Sequence, residues 1–189
     1  MSESVVPSLI SAASGLLGVF VGTAVPWLKE IFSERKHAHY LAIRVVLVLD
    51  KFVEGCVDVA YDDGLDDKDR DLRYRVKEPN YPSFPEDIDW RSVKHDLMYR
   101  ALSIPRDLEI AKGYISASDD INNWEGIEER QYQYISLGLA AAKLARDLRK
   151  TYGIPDQDQR NLVNELQEMK KDFDKKRKAR ESLHEEIMT

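Results

Sequence analysis

The sequence has one cysteine, Cys56, and that scarcity excludes an internal disulfide and any metal site that needs two or more thiolates. A reducing compartment suits such a chain. Glycine and proline are also few, nine and seven in all, and they gather in a few places, which argues against a β-sandwich with its many turns. No GxSxG, Walker-type loop, dinucleotide fingerprint or HExxH is present, so the common nucleophile, phosphate and zinc motifs are missing. Nor is there an excess of positive charge. Thirty-four acidic residues against 28 basic leave a net charge of −6, so the total does not call for a nucleic acid or another polyanion as partner. The 189 residues hold one compact domain and an accessory segment rather than a multidomain enzyme.

The most informative absence is local. Between Glu3 and Lys29 no side chain ionises, and the segment reads VVPSLISAASGLLGVFVGTAVPWL. About 19 residues from Pro7 to Val25, at about 1.5 Å each, cover about 28 Å as a helix, close to the roughly 30 Å of a bilayer's hydrocarbon. The segment therefore reads as a transmembrane helix, although Ser8, Ser11, Ser14, Thr23 and three glycines dilute its hydrophobicity. Two other readings compete. A cleaved signal peptide lacks support because MSES carries no Lys or Arg. A buried core helix, or the core of a soluble oligomer, would also bury this surface. Lys29, Arg35 and Lys36 follow the run while only Glu3 precedes it, so the N-terminus is expected outside and the C-terminal bulk in the cytoplasm. Trp27 stands where an interface anchor belongs. Ser14, Gly18 and Gly22 recur every four residues and leave a helix face on which backbones can approach, a candidate for self-association in lipid. Pro26 lacks the amide hydrogen that would bond Gly22, so the helix is expected to kink or stop there.

Beyond the anchor the apolar residues keep helical spacing. Leu28, Ile31, Phe32, Ala38, Ala42, Val45, Val46, Leu49, Phe52, Val53, Cys56 and Ala60 predict one long helix from Trp27 to Tyr61. Residues 62 to 88 hold Gly64, Pro79, Pro82 and Pro85 without apolar periodicity and predict a long loop or a covering strap. Asp89 can cap a helix carrying Trp90, Val93, Leu97, Met98, Ala101 and Leu102, and Pro105 is expected to start a further one. After Gly126 another stripe runs through Ile127, Tyr134, Leu137, Ala141, Leu144 and Leu148, closed by Gly153, Ile154 and Pro155. Asp156 and Gln159 resemble a capping box for a last helix. Its seam of Leu162, Leu166, Met169, Phe173, Lys176, Arg180, Leu183 and Ile187 alternates steps of four and three, as in a coiled coil. Leu162, Leu166, Met169 and Phe173 are the seam positions expected to face a partner, while a free-standing helix or one docked on the bundle is equally allowed by the pattern.

The titratable side chains offer little chemistry. His37 and His39 are two apart, whereas helical metal pairs need a spacing of three or four. His95 and His184 lack a neighbouring nucleophile motif, and Cys56 lies on an apolar stripe as a core residue. Asp67, Asp69, Asp71 and Glu78 match positions 1, 3, 5 and 12 of a calcium loop, but Leu72 stands where the turn needs glycine and Arg70, Arg73, Arg75 and Lys77 neutralise the field. The one sizeable basic stretch, from Lys170 to Arg180, makes Lys170, Lys171, Lys175 and Lys178 candidate contacts for an anionic surface. Phe173, its one aromatic residue, belongs to the apolar seam, so no aromatic platform interleaves there for base stacking and a nucleic-acid partner is not expected.

These features predict an all-α protein: an N-terminal transmembrane helix at 1–28, a cytoplasmic helical bundle at 29–154 with its long 62–88 loop, and a long charged C-terminal helix at 155–189. The expected role is a non-enzymatic, membrane-anchored interaction or assembly module that self-associates through its small-residue helix. A homo-oligomer or a helical protein partner is expected beside the lipid bilayer, and no cofactor, metal or small-molecule substrate is assigned. Two alternatives are an oligomeric effector that forms or perturbs pores, and an enzyme with its site on the 62–88 loop.

Overall fold

Leu41, Val45, Leu49, Phe52, Val53 and Cys56 recur at steps of three and four, and all are withdrawn from solvent along a single helix, α1, at 35–60. The run VVLVLD at 45–50 lies within it, so the flanking periodicity decides against a strand. The computed structural model describes residues 35–66, 72–80, 82–156 and 160–188. Three more long helices follow: α2 at His95–Asp119, α3 at Asn123–Tyr152 and α4 at Arg160–Met188. The described part is all-α, with four helices in a bundle-like arrangement. It also contains a two-residue antiparallel pair, β1 at Leu65–Asp66 with β2 at Leu72–Arg73, and one 3-10 turn at Trp90–Ser92.

The centre of the bundle is α3. Its Tyr134, Ile135, Ala141, Leu144 and Leu148 are buried in one continuous core with residues of α1 and α2, and α2 and α4 both pack on it. Gly138 of α3 lies so close to α1 that an added Cβ would stand 2.9 Å from the Cβ of Cys56 and 3.0 Å from Leu166 of α4. Three helices meet at that glycine.

Two helix boundaries differ from those expected. Asp89 does accept from the Arg91 N–H as a cap, but it caps only the 3-10 turn at Trp90–Ser92, and α2 begins at His95. From there α2 runs unbroken through Pro105. Proline withholds one N–H and strains the preceding turn, at a cost of about 3 kcal/mol. Against this, Leu97, Ala101 and Ile104 before it and Leu108, Ala111 and Ile115 after it are all buried, and each large apolar side chain contributes about 1.5 to 3 kcal/mol. Packing therefore outweighs the local breaker.

The second difference is the start of α3, at Asn123 instead of after Gly126. Asn122 accepts from the Glu125 N–H at 2.8 Å and donates to the Glu125 carboxylate at 3.0 Å, a reciprocal cap. Gly126 is in the first turn for a steric reason, since a Cβ there would meet the Asp119 carboxylate at 1.5 Å. The other end of α3 closes as expected, with Gly153 at φ 66° and its N–H donating to the Arg149 carbonyl.

Residues 62–88 form a covering strap where they are described. Val76 and Phe84 pack against the core and Ile88 lies within it. The Phe84 and Trp90 rings meet edge to face at 5.4 Å.

Candidate functional site

Buried charge is the first place to look for chemistry, and among the described residues the bundle buries two ion pairs. Asp62, at the end of α1, faces Arg130 of α3 at 2.7 Å, with both side chains almost wholly inside. The Asp62 carboxylate also accepts the backbone N–H groups of Gly64, Arg75 and Val76 at 3.0 to 3.2 Å. Arg130 donates onward to the Val76 carbonyl at 2.7 Å, and the Tyr74 ring lies 4.3 Å from its guanidinium. Burial pushes the Asp62 carboxyl up, but the N–H groups of Val76, Arg75 and Gly64 and the Arg130 guanidinium together outweigh it and hold the group below its ordinary value. A carboxylate so supplied with donors is a poor proton acceptor. Its role is to fasten the strap, which Tyr74 also clips to α2 by donating to Asp119 at 2.6 Å.

Asp50 and Arg149 form the second pair, between α1 and α3. Here burial raises the Asp50 carboxyl despite Arg149, and Asp50 Oδ1 and Arg149 Nε have no hydrogen-bond partner among the described residues. Cys56 is fully buried, and burial pushes its thiol far above the ordinary range, away from the thiolate that nucleophilic work requires.

An open cleft of 1120 Å³ lies beside residues 35–39 of α1, the start of α2 and the end of α3, lined by Arg35, Lys36, His37, His39, Arg91 and Lys94 among others. Tyr152 joins the three helices there. Its carbonyl receives His39 Nδ1 at 2.6 Å and its hydroxyl accepts the Lys94 N–H at 2.9 Å. The last carbonyls of α3 face this end, and cations collected around a helix C-terminus offset its dipole. His37 is exposed while His39 is held by that carbonyl, so the two are not brought together.

Of the residues singled out in the sequence, Ser14, Gly18, Gly22 and Trp27 lie outside the described residues, as do Asp67, Asp69 and Asp71. Glu78 lies 3.6 Å from Lys112. Among the described residues no helix is long and apolar enough to cross a membrane and no group of three or more acidic, histidine or cysteine side chains could hold a metal ion. The α4 seam is described. Leu166 is fully buried, and Leu162, Met169 and Phe173 are half-buried against the same core, so the seam faces this chain's own bundle. Lys170 bonds Asp174 at 3.0 Å with its ammonium 3.4 Å from the centre of the Tyr132 ring, and Lys171 pairs with Glu168 at 2.6 Å. Lys175 and Lys178 are exposed.

The surface that sequence reasoning missed is on α2. Its buried stripe of Leu97, Ala101, Ile104, Leu108, Ala111 and Ile115 leaves a second apolar stripe on the opposite side. There Tyr99 is 63% exposed, Leu102 49%, Ile110 51% and Tyr114 57%. At 3.6 residues per turn these four fall on one face. The signal was present in the sequence, but dividing the helix at Pro105 put Leu102 on the inner stripe and separated it from Ile110 and Tyr114. Comparison with known proteins finds no matching family model, no similar curated protein and no similar solved structure.

Proposed function

We propose that this chain is a non-enzymatic interaction or assembly module, anchored in a membrane by its first 28 residues with the helical bundle on the cytoplasmic side. The observation that carries the reading is the outer face of α2, where four large apolar side chains stand in solvent along a helix whose other side is already packed. The largest apolar patch on a protein surface, commonly about 300 to 600 Å², is often a functional one, and larger patches mark sites of interaction. Two features support it. The buried carboxylate Asp62 is taken up in fastening the strap and Asp50 in joining α1 to α3. The charge-free run between Glu3 and Lys29 is followed by the exposed cations Arg35 and Lys36.

Fractionation of the full chain tests the anchor. The chain should stay with membranes through carbonate extraction, and a C-terminal tag should be protected from protease in intact spheroplasts and cut after lysis. A monodisperse species that is soluble without detergent would reject the anchored reading.

A further inference from the structure

We propose that the outer face of α2 is a two-fold interface with a second copy of this chain, the two helices packing antiparallel about an axis beside Arg106 and Asp107. The inference rests on reading the chain as an interaction module and names the partner. Its first support is the spacing. Tyr99 lies seven residues before Arg106 and Tyr114 seven after Asp107, while Leu102 lies four before and Ile110 three after the same two residues. Turned end over end, the stripe matches itself to within one residue, with Tyr99 level with Tyr114 of the other copy and Leu102 one residue, about 1.5 Å, out of level with Ile110. Isologous interfaces require such self-complementarity, because one patch serves both sides.

The charges match as well. Arg106 donates to the adjacent Asp107 at 3.0 Å within one chain, and around the two-fold axis the same two residues of each copy face each other in reverse order. Each guanidinium can then reach the other copy's carboxylate without a change in net charge. Gly113 supplies the third support. A Cβ built there meets nothing within 4 Å, so no contact among the described residues requires glycine inside this helix, where it weakens the helix. In the antiparallel pair Gly113 lies opposite Tyr99 of the other copy and leaves space for its ring. With about half of each side chain exposed, the four large residues offer on the order of 400 Å² per copy, about half of what a standard interface takes from each partner; the rest comes from their neighbours on the face.

Cysteine cross-linking of the full chain in native membranes tests the pairing, since Cys56 is buried and gives a silent background. Gly18→Ile and Gly22→Ile are included throughout to remove the small-residue contact. Arg106→Cys should form a disulfide dimer as its main product. Tyr99→Cys alone should give at least tenfold less, because the antiparallel pair separates the two copies of that position by about 22 Å while a disulfide needs Cα atoms within about 7 Å. Mixing Tyr99→Cys chains with Tyr114→Cys chains should restore the dimer. Gly113→Leu should reduce the Arg106→Cys cross-link severalfold while the helix melts no lower than before. Equal cross-linking of Tyr99→Cys and Arg106→Cys would show a parallel contact and overturn the proposal, as would an Arg106→Cys chain that stays monomeric or a Gly113→Leu change without effect. A carbonate-soluble chain that still cross-links at position 106 would reject the anchor and keep the interface. A carbonate-resistant chain that does not cross-link would do the reverse.

Discussion

Two helices flank α3, and they use their apolar residues in opposite ways. On α4 the large apolar side chains form one stripe, Leu162, Leu166, Met169 and Phe173, turned onto the core, and most of the remaining surface is charged. On α2 a full inner stripe is buried and a second stripe remains in solvent. Periodicity of three and four marks both helices, yet α4 resembles a coiled-coil strand by sequence and is satisfied within its own chain. The lesson is that an apolar seam announces a partner only when the core has not already claimed it.

The largest effect should come from the buried ion pair that ties the end of α1 to α3, the wall that both helices share. Asp62→Ala leaves the Arg130 guanidinium, 2% exposed, without its counter-ion and strips three backbone N–H groups of their acceptor. Removing one member of a buried pair costs about 3 to 5 kcal/mol, measured by chemical denaturation of the full chain. Acid should weaken the wild type by the same route. The folded Asp62 carboxyl lies below its ordinary value, so its contribution is complete above the unfolded-state value of about 3.9 and is lost as pH falls through the folded one. In Asp62→Ala that part of the acid response should vanish.

Next in size is the seam of α4. Leu166 is fully buried, and cutting a buried leucine back to alanine costs about 2 to 5 kcal/mol. Leu166→Ser should cost at least as much and should expose α4 to protease before the rest of the bundle. If α4 stays protected, the seam is not what holds it.

A smaller effect is expected from the polar clamp along the same helix. Arg177 pairs with Glu129, and Arg180 with Glu128 at 2.6 Å, while the Arg177 guanidinium also lies 3.6 Å from the centre of the Tyr132 ring. Exposed pairs contribute about 0 to 1 kcal/mol each. Arg177→Gln with Arg180→Gln should therefore cost about 1 kcal/mol, less at high salt, while Lys175→Gln with Lys178→Gln should leave stability unchanged. A larger loss from the lysine pair would mean that those side chains hold α4.

The sequence made the helices legible and their pairing only partly so. The long α1 through residues 45–50 and the glycine stop at Gly153 followed from periodicity and backbone chemistry alone, because each is decided within a few residues. Pro105 misled because a local rule met a tertiary force, the burial on both sides of it. The start of α3 misled because Gly126 is explained by Asp119 packing against it, which no local pattern reveals. Asp50, Asp62, Arg130 and Arg149 stood out in no motif, since their partners are 68 residues apart in one pair and 99 in the other. The α4 seam was read correctly as apolar, but its neighbour across the bundle was not in the pattern. The outer face of α2 needed only the knowledge that the helix is continuous.

The smallest folding effect should come from that outer face. Leu102→Ser and Ile110→Ser each remove a side chain that is half in solvent, and surface substitutions of this kind usually change stability by no more than about 0.5 kcal/mol. The contrast with Leu166→Ser is then between residues of the same kind at the same helical spacing, separated only by what covers them. Concentration sharpens the contrast further. A chain that pairs through α2 is stabilised by mass action, so its melting temperature should rise with protein concentration in a fixed detergent excess. That dependence should weaken in Leu102→Ser with Ile110→Ser and persist in Gly18→Ile with Gly22→Ile. If instead the membrane-helix changes remove the whole dependence and the α2 changes none, the second apolar stripe of α2 plays no part in pairing, and the difference between the two flanking helices is one of composition alone.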